Sequence, residues 1–176
     1  TLAKHPHLPS CYTYEAPFSL GATPEFLLGY YYLQEAASQL PSLVLNPLPG
    51  ETILDMCAAP GSKTTQMAAL MRNEGAIVAL DANAQRLRAL ALNVNRMGVT
   101  NTLLYKKDAR FAFDLGLRFA KILLDAPCTG NFAAEPKFFE IKRLEGVRTN
   151  ARRQRELLKA ALKCLEPGGM LVYSTC

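Results

Sequence analysis

Two cysteines of this chain follow apolar stretches of the same kind, and both positions suit thiol chemistry. Cys128 ends the stretch ILLDAPC, Cys176 ends LVYSTC, and Asp125 precedes Cys128 by three residues. A thiolate is a strong nucleophile, and a nearby carboxyl group can stabilise charge that develops on a substrate. This set predicts covalent catalysis in which one thiol attacks and the other assists release of the product. The residues alone do not say which cysteine attacks.

A glycine-containing loop indicates a second function, the binding of a small ligand. The stretch LDMCAAPGSKTTQ follows an apolar run and opens a helical pattern, so its small residues let the backbone approach a ligand closely. The candidate contacts are Cys57, Ala58, Ala59, Pro60, Gly61, Ser62 and Lys63. The stretch matches neither the dinucleotide pattern G-x-G-x-x-G nor the phosphate loop G-x-x-x-x-G-K-[ST].

Two carboxylates complete the predicted pocket. Asp81 ends the next apolar run, 20 residues after Gly61, where a carboxylate can accept hydrogen bonds from both hydroxyls of a ribose. Asp108 follows the third run and can receive an adenine amino group. Each carboxylate alone is equally well explained as a helix cap or a solvated strand end. Together with a loop that lacks a pyrophosphate pattern, they favour S-adenosylmethionine as the cofactor.

Alternating strands and helices must position these residues. Apolar runs rich in β-branched residues predict strands over 52–58, 76–82, 101–107, 120–127 and 169–176. Helical patterns cover 62–73, 83–97 with Asn83 as N-cap, and a segment from Thr149 that the sequence Pro-Gly-Gly at 167–169 should break. This alternation predicts an α/β fold, a parallel sheet with helices on both faces. Ligands of such sheets bind at the carboxyl ends of the strands.

The chain divides into two predicted regions at residue 50. Residues 1–50 are predicted as an N-terminal helical extension and connector. Within them, TPEFLLGYYYLQEAASQL (23–40) is predicted as one helix with Thr23 as N-cap, and 41–50 as a turn-rich connector. Residues 51–176 are predicted as the catalytic domain.

The net charge of +5 is localised, which indicates a polyanionic partner. The segment from Lys137 to Lys159 holds eight basic and three acidic residues, and the rest of the chain is neutral. A solvated helix face is the alternative. No apolar run approaches the roughly 20 residues that span a membrane. We therefore expect a cytoplasmic protein with reduced cysteines. The five cysteines form no C-x-x-C pair, so no metal site is predicted.

The thiols and the predicted cofactor fit one reaction on a nucleic acid. Carbon 5 of cytosine becomes nucleophilic once a thiolate has added to carbon 6, and it can then take a methyl group from a sulfonium. Asp125 is placed to hydrogen-bond ring nitrogen 3 while charge develops there. The target cytosine must leave its base stack to reach these groups. The basic segment after Cys128 would then contact RNA phosphates.

The motifs CAAPGSKTT, DAPCTG and YSTC, in this order, resemble those of the RNA 5-methylcytosine methyltransferases of the Nop2/Sun family, most closely its archaeal tRNA members. The resemblance runs from about Pro17 to Cys176. It implies a Rossmann-like S-adenosylmethionine-dependent methyltransferase fold and RNA, with tRNA favoured, as the partner. It also implies that Cys176 is the nucleophile, that Cys128 helps release the product, and that Asp125 serves both catalysis and cofactor binding.

Two departures from the family pattern lead to further expectations. Ser62 stands where the family usually has a second glycine. Serine tolerates a helix N-terminus, so we expect cofactor binding to survive this change in a weakened form. The family fold continues past S-T-C into two more strands. We therefore expect a sheet without its last two strands, an exposed apolar edge at the fifth strand, and a fragment whose activity is open.

Three other functions are alternatives to RNA cytosine methylation. The first is a non-catalytic RNA-binding fragment of such an enzyme. The second is another S-adenosylmethionine-dependent transferase, which the absence of a D-P-P-Y motif disfavours. The third is a nicotinamide dehydrogenase, which the glycine pattern disfavours. The oligomeric state stays open, a monomer included.

Overall fold

The computed structural model describes residues 1–130, 137 and 143–175, and a parallel sheet forms the centre of this part of the chain. The strands are β1 (Leu2–Lys4), β2 (Tyr12–Tyr14), β3 (Thr52–Asp55), β4 (Ala76–Asp81), β5 (Thr102–Lys106), β6 (Phe119–Asp125) and β7 (Leu165–Ser174). The α-helices are α1 (Pro24–Leu27), α2 (Leu40–Leu45), α3 (Ser62–Leu70), α4 (Ala84–Arg96) and α5 (Leu144–Cys164). Three 3₁₀ helices are η1 (Leu20–Ala22), η2 (Ala36–Gln39) and η3 (Ala109–Leu115).

The sheet has the strand order β5-β4-β3-β6-β7, and all its described pairings are parallel. Ile53 on the central strand β3 lies opposite Ile77 on β4 and Lys121 on β6. The predicted parallel α/β sheet is confirmed. Because β4 and β6 flank β3, the residues at their carboxyl ends meet at one edge of the sheet. As expected, β7 is an edge strand of the described sheet, with Met170 and Tyr173 exposed.

Helices cover both faces of the sheet, as the continuous apolar strands predict. On one face, Leu54 and Ile122 belong to a buried cluster with Leu157 and Ala161 of α5, which also includes residues of η3. On the other face, α2, α3 and α4 contribute to a second buried cluster. Its members include Leu45, Ile53, Met67, Ile77, Leu90, Val94 and Leu123. The alternation of side chains along each strand therefore divides the core into two layers.

The prediction of one long helix over residues 23–40 is wrong. Thr23 does cap α1, with its Oγ1 accepting a hydrogen bond from Phe26 N at 3.2 Å, but α1 ends at Leu27. Gly29 has a φ of +80°, and a Cβ there would lie 1.8 Å from the carbonyl oxygen of Arg96. The Arg96 guanidinium donates to the carbonyls of Phe26 at 2.6 Å and Tyr31 at 3.2 Å. Packing against α4 therefore overrides the helical pattern.

The rest of the N-terminal region also differs from its prediction as a helical extension and connector. Strands β1 and β2 form an antiparallel hairpin, with Leu2 opposite Tyr14. Residues 41–50, predicted as a turn-rich connector, contribute most of helix α2, which ends where Asn46 adopts a left-handed conformation. The buried Leu45 explains this helix, because it anchors α2 in the second core cluster.

The last helix and strand are displaced from their predicted ends. Helix α5 begins five residues before Thr149, and β7 begins at Leu165 instead of at Gly169. The Pro-Gly-Gly sequence therefore lies inside β7. Pairing with β6 is irregular there, since Phe119 lies opposite Leu165 and Lys121 opposite Met170. The strand accommodates the proline and the glycines through this local break in pairing, and it continues beyond them.

Within the described ranges, no helix combines the length and the apolar composition that crossing a membrane requires.

Candidate active site

The predicted cofactor loop joins β3 to α3 and is fixed at the carboxyl ends of the sheet. Met56 N donates to Leu123 O of β6 at 3.0 Å, and Ala58 N donates to Leu80 O of β4 at 2.9 Å. The loop is therefore held by both strands that flank β3. Ala58 and Ala59 are buried, while Pro60 is exposed.

Gly61 allows the loop to turn tightly into α3. Its φ is +112°, and a Cβ there would lie 2.8 Å from Leu90 Cδ1 on α4. Two side chains of α4 also hold the loop: Asn93 Nδ2 donates to Pro60 O at 2.9 Å, and the Arg86 guanidinium donates to Ala59 O. Only glycine meets both the backbone conformation and the close approach of α4 without strain.

A buried carboxyl group lies under this loop. Asp55 ends β3 and is 1% exposed, and Thr64 Oγ1 of α3 donates to its Oδ2 at 2.7 Å. Burial raises the pKa of Asp55 to about 6, although the Thr64 hydrogen bond acts to lower it. The charge of the carboxyl group under the loop therefore changes as the pH passes through about 6.

We expect the stability of the chain to fall with rising pH because of Asp55. The folded pKa of about 6 lies above the ordinary 3.8, so the folded state holds a proton that the unfolded chain releases at lower pH. This stabilisation is complete below about pH 4 and is lost as the pH rises through 6. Relative to Asp55→Asn, wild type should lose about 1 to 1.5 kcal/mol of unfolding free energy between pH 5 and 7.5. Urea melts of both proteins at the two pH values measure this; a constant difference contradicts it.

The thiol of Cys57 is unsuited to attack a substrate. Burial, followed by the negative charges of Asp55, Asp81 and Asp125, raises the pKa of Cys57 to about 12. The thiol therefore stays protonated near neutral pH. Cys57 therefore lines the loop without acting as a nucleophile. Cys11 and Cys164 are buried, so Cys128 and Cys176 stay the candidate reactive cysteines.

Asp125 is the residue that joins the sequence motifs in space. Its Oδ2 lies 2.8 Å from Lys63 Nζ of the loop, and its Oδ1 accepts a hydrogen bond from Ser174 Oγ at 2.7 Å. The Lys63 side chain is 14% exposed and that of Asp125 is 33% exposed, so the pair is only partly solvated. The motifs CAAPGSK, DAPC and YSTC therefore meet at one carboxylate. Its charge is therefore available to a polar substrate group, with which it could form a charge-assisted hydrogen bond.

Asp81 lies beside the loop, where the sequence predicts a ribose. It is 6% exposed, its Oδ1 accepts from Asn83 N at 2.8 Å, and its Oδ2 lies 3.6 Å from the Arg86 guanidinium. A carboxylate has about four acceptor positions, so these contacts leave capacity for further donors. Asn83 itself caps α4 as predicted, accepting from Gln85 N and Arg86 N.

Asp108 has the helix-capping role that the sequence left open. It accepts hydrogen bonds from Arg110 N at 3.0 Å and from the Arg110 guanidinium at 2.7 Å. These bonds to Arg110 hold the pKa of Asp108 below its usual range. Arg110 also lies 3.0 Å from Glu156 of α5. Lys107, the residue before Asp108, donates its backbone N–H to the carbonyl oxygen of Asp81 at 3.1 Å. This bond holds the chain next to Asp108 at the carboxyl end of β4. Its contact with adenine stays a prediction.

Cys128 lies in the loop after β6, and Gly130 N donates to its Sγ at 3.3 Å. Cys176, the predicted nucleophile, lies outside the described residues. The residue before it, Thr175, receives a hydrogen bond at 3.2 Å from Gln154 Nε2, and the same nitrogen donates to Pro127 O at 2.9 Å. The segments that lead to the two cysteines are therefore connected through α5.

Several polar partners of the site residues are not among the residues predicted from the sequence. Each of five residues holds a predicted site residue or its chain neighbour: Ser174, Gln154, Arg86, Arg110 and Thr64. Ser174 lies inside the motif YSTC and Gln154 inside the basic segment of residues 137–159, so both belong to stretches that the sequence already singles out. Nothing in the spacing of residues indicates which partner each of them contacts.

Part of the predicted basic segment is described and lies along α5. Arg148, Arg152, Arg153, Arg155 and Lys159 are all exposed there. Lys142 and the other residues at 138–142 lie outside the described part of the chain. Among the described residues, no group of three or more His, Cys, Asp or Glu is placed to hold a metal ion.

Comparison with known proteins identifies relatives that are named as RNA methyltransferases. The sequence model of the family described as 16S rRNA methyltransferase RsmB/F matches residues 42–176. A tRNA (cytosine(72)-C(5))-methyltransferase of Pyrococcus horikoshii is 46% identical over 90% of this chain and 40% of its own length. A human 28S rRNA (cytosine(4447)-C(5))-methyltransferase is 44% identical over 93% of this chain and 21% of its own length.

A solved structure agrees with these sequence matches. The crystal structure of NSun6 from Pyrococcus horikoshii with SFG has a TM-score of 0.84 and 46% identity, over 90% of this chain and 41% of the other. In each of these three matches, the chain therefore spans less than half the length of the protein that it resembles.

Proposed function

The chain belongs to the 16S rRNA methyltransferase RsmB/F family, and from this premise we propose that it methylates carbon 5 of a cytosine in RNA. The observation that carries the proposal is the meeting of three motifs at Asp125. Lys63 of the cofactor loop and Ser174 of the last strand both contact this carboxylate. We assign the catalytic groups to residues 51–176, with residues 1–50 packed against them as a supporting region.

We assign the cofactor site to the loop of residues 57–63 together with Asp81, Asp108 and Asp125. Two features support S-adenosylmethionine there. Gly61 presents no side chain at the start of α3, and Asp81 and Asp125 end the two strands that flank β3. A relative was crystallised with SFG, an analogue of S-adenosylmethionine. When bound, this cofactor supplies a methyl group activated by a sulfonium.

The two reactive cysteines divide the covalent chemistry between them. The Cys176 thiolate adds to carbon 6 of the cytosine, forming an S–C bond and raising the electron density at carbon 5, which takes the methyl group. The proton on carbon 5 then leaves to a base, the electrons of that C–H bond restore the ring double bond, and the S–C bond breaks to return the Cys176 thiolate. Cys128 assists this release.

Asp125 stabilises the ring while the thiolate is attached. Addition at carbon 6 raises the electron density on ring nitrogen 3, and a protonated nitrogen 3 or the amino group beside it can donate to the carboxylate. Lys63 and Ser174 hold one oxygen each, which fixes the carboxylate plane before the substrate arrives. Preorganisation of this kind lowers the cost of reaching the transition state.

The exposed arginines of α5 are the proposed contacts for RNA phosphates. Replacing both Arg152 and Arg153 with Ala should weaken binding of an unmodified tRNA transcript and flatten its salt dependence. Each lost phosphate contact lowers the slope of log K against log salt by about 0.7 to 0.9, so the double variant should lose about 1.4 to 1.8. Fluorescence anisotropy over a range of KCl concentrations measures the slope. An unchanged slope contradicts this assignment.

The activity test uses isotope-labelled S-adenosylmethionine and two RNAs. We propose tRNA as the substrate, but the names of the relatives include both tRNA and rRNA enzymes, so an unmodified tRNA transcript and a 16S rRNA fragment are compared. Mass spectrometry of digested RNA should detect 5-methylcytidine in the tRNA. Methylation of the rRNA alone would retain the reaction and change the substrate. Cofactor and RNA binding without product would support a non-catalytic RNA-binding function.

A further inference from the structure

The side chain of Gln154 connects the two segments that lead to the candidate reactive cysteines. Its Nε2 donates to Pro127 O at 2.9 Å and to Thr175 Oγ1 at 3.2 Å, while its Oε1 accepts from Tyr173 OH at 3.0 Å. An amide offers two N–H donors and one carbonyl acceptor. All three functions of this amide are therefore engaged with the ends of β6 and β7.

Pro127 and Thr175, the residues that precede the two cysteines, lie just beyond the last described hydrogen bonds of the sheet. The described pairing of β6 and β7 ends with Ala126 N donating to Ser174 O at 2.8 Å. Pro127 follows and has no N–H, so it cannot donate a further bond to the neighbouring strand. Pro127 directly precedes Cys128, and Thr175 directly precedes Cys176. The amide of Gln154 supplies a link at the point where the sheet hydrogen bonds stop.

Helix α5, which carries Gln154, is held against the sheet by its buried apolar residues. Leu157, Ala160, Ala161 and Cys164 of α5 are all buried in the core cluster on that face of the sheet. A side chain on a packed helix holds its hydrogen-bond partners in place more precisely than a side chain on a loop does. Gln154 is thus suited to hold two chain segments relative to the rigid core.

We propose that Gln154 is a positioning residue that restrains Pro127 and Thr175, and through them sets the separation of Cys128 and Cys176. The catalytic meaning of this separation rests on the proposed function, in which one thiol attacks and the other assists release. The restraint itself does not depend on it. Loss of the amide would leave both thiols chemically intact while widening the range of distances between them.

The test measures how often the two thiols meet, without RNA or cofactor. In buffers of reduced and oxidised glutathione, the equilibrium between the dithiol and the Cys128–Cys176 disulfide gives the effective concentration of one thiol at the other. Gln154→Met has a similar size and no hydrogen bonds to offer, and it should lower this concentration at least about tenfold. The matched control is Gln85→Met, the same change at an exposed glutamine of α4, which should leave it unchanged.

A second variant guards against an effect of misfolding. Tyr173→Phe removes one of the three hydrogen bonds and should give an intermediate fall. If Gln154→Met stays within about twofold of wild type, the proposal is overturned. In the methylation assay, Gln154→Met should lower kcat and leave the KM for S-adenosylmethionine unchanged. A wild-type chain without product would remove the proposed function, while the glutathione equilibrium would still decide the role of Gln154.

Discussion

Replacing Asp125 with Asn should lower kcat for cytosine methylation by about 10²- to 10³-fold. The carboxylate is the point where Lys63 and Ser174 converge, at 2.8 and 2.7 Å. Asparagine keeps the shape but loses the negative charge, so it cannot balance the Lys63 ammonium or stabilise a protonated nitrogen 3. Single-turnover rates at saturating RNA and S-adenosylmethionine measure the effect on chemistry, apart from effects on binding.

Ser174→Ala is the matched control for this prediction. It removes one hydrogen bond that a neutral hydroxyl donates to the same carboxylate, and it keeps the charge. Water can replace the lost donor at this partly exposed group, so the rate should fall by about tenfold or less. Thermal melts of both variants show whether each remains folded. If Asp125→Asn and Ser174→Ala slow the reaction equally, the charge of Asp125 does not contribute as proposed.

Replacing Gly61 with Ala should weaken binding of S-adenosylmethionine by about 10- to 100-fold. The backbone there has a φ of +112°, and the added Cβ would meet Leu90 Cδ1 at 2.8 Å. Leu90 is fully buried, so it cannot move aside into solvent. The loop must therefore shift at the start of α3, where we assign contacts to the cofactor. Isothermal titration calorimetry with the cofactor alone measures the change.

Gly98→Ala separates backbone strain from the fit of the cofactor. Gly98 also has a positive φ, +65°, but a Cβ there would meet nothing within 4 Å. We expect this variant to lose some stability and to keep its affinity for S-adenosylmethionine. Unchanged affinity in Gly61→Ala would show that the loop does not contact the cofactor.

The sheet could be predicted because each of its strands carries a local signal. The apolar runs around Ile53, Ile77 and Ile122 are buried on both faces of the sheet, as their continuous hydrophobicity indicates. The N-cap at Asn83 is equally local, since its side chain bonds residues two and three positions later. The prediction of one helix over residues 23–40 is wrong because the end of α1 depends on Arg96, a residue distant in the sequence.

The partners within the site could not be predicted, for the same physical reason. Lys63 contacts Asp125 only because β6 lies beside β3, and strand order is not visible in the spacing of residues. Gln154 bonds Pro127 from a helix that reaches the sheet through tertiary packing. The motifs therefore identified the reacting groups, while the structure showed which side chains hold them.

The most direct test of the proposed chemistry is a denaturing gel. The Cys128→Ala variant is mixed with unmodified tRNA transcript and S-adenosylmethionine, and the same reaction is run with Cys128→Ala and Cys176→Ala combined. If Cys176 attacks and Cys128 assists release, the single variant gives a slowly migrating protein–RNA adduct and the double variant gives none. An adduct that persists without Cys176, or no adduct from a single variant that still binds RNA and cofactor, would contradict this division of roles.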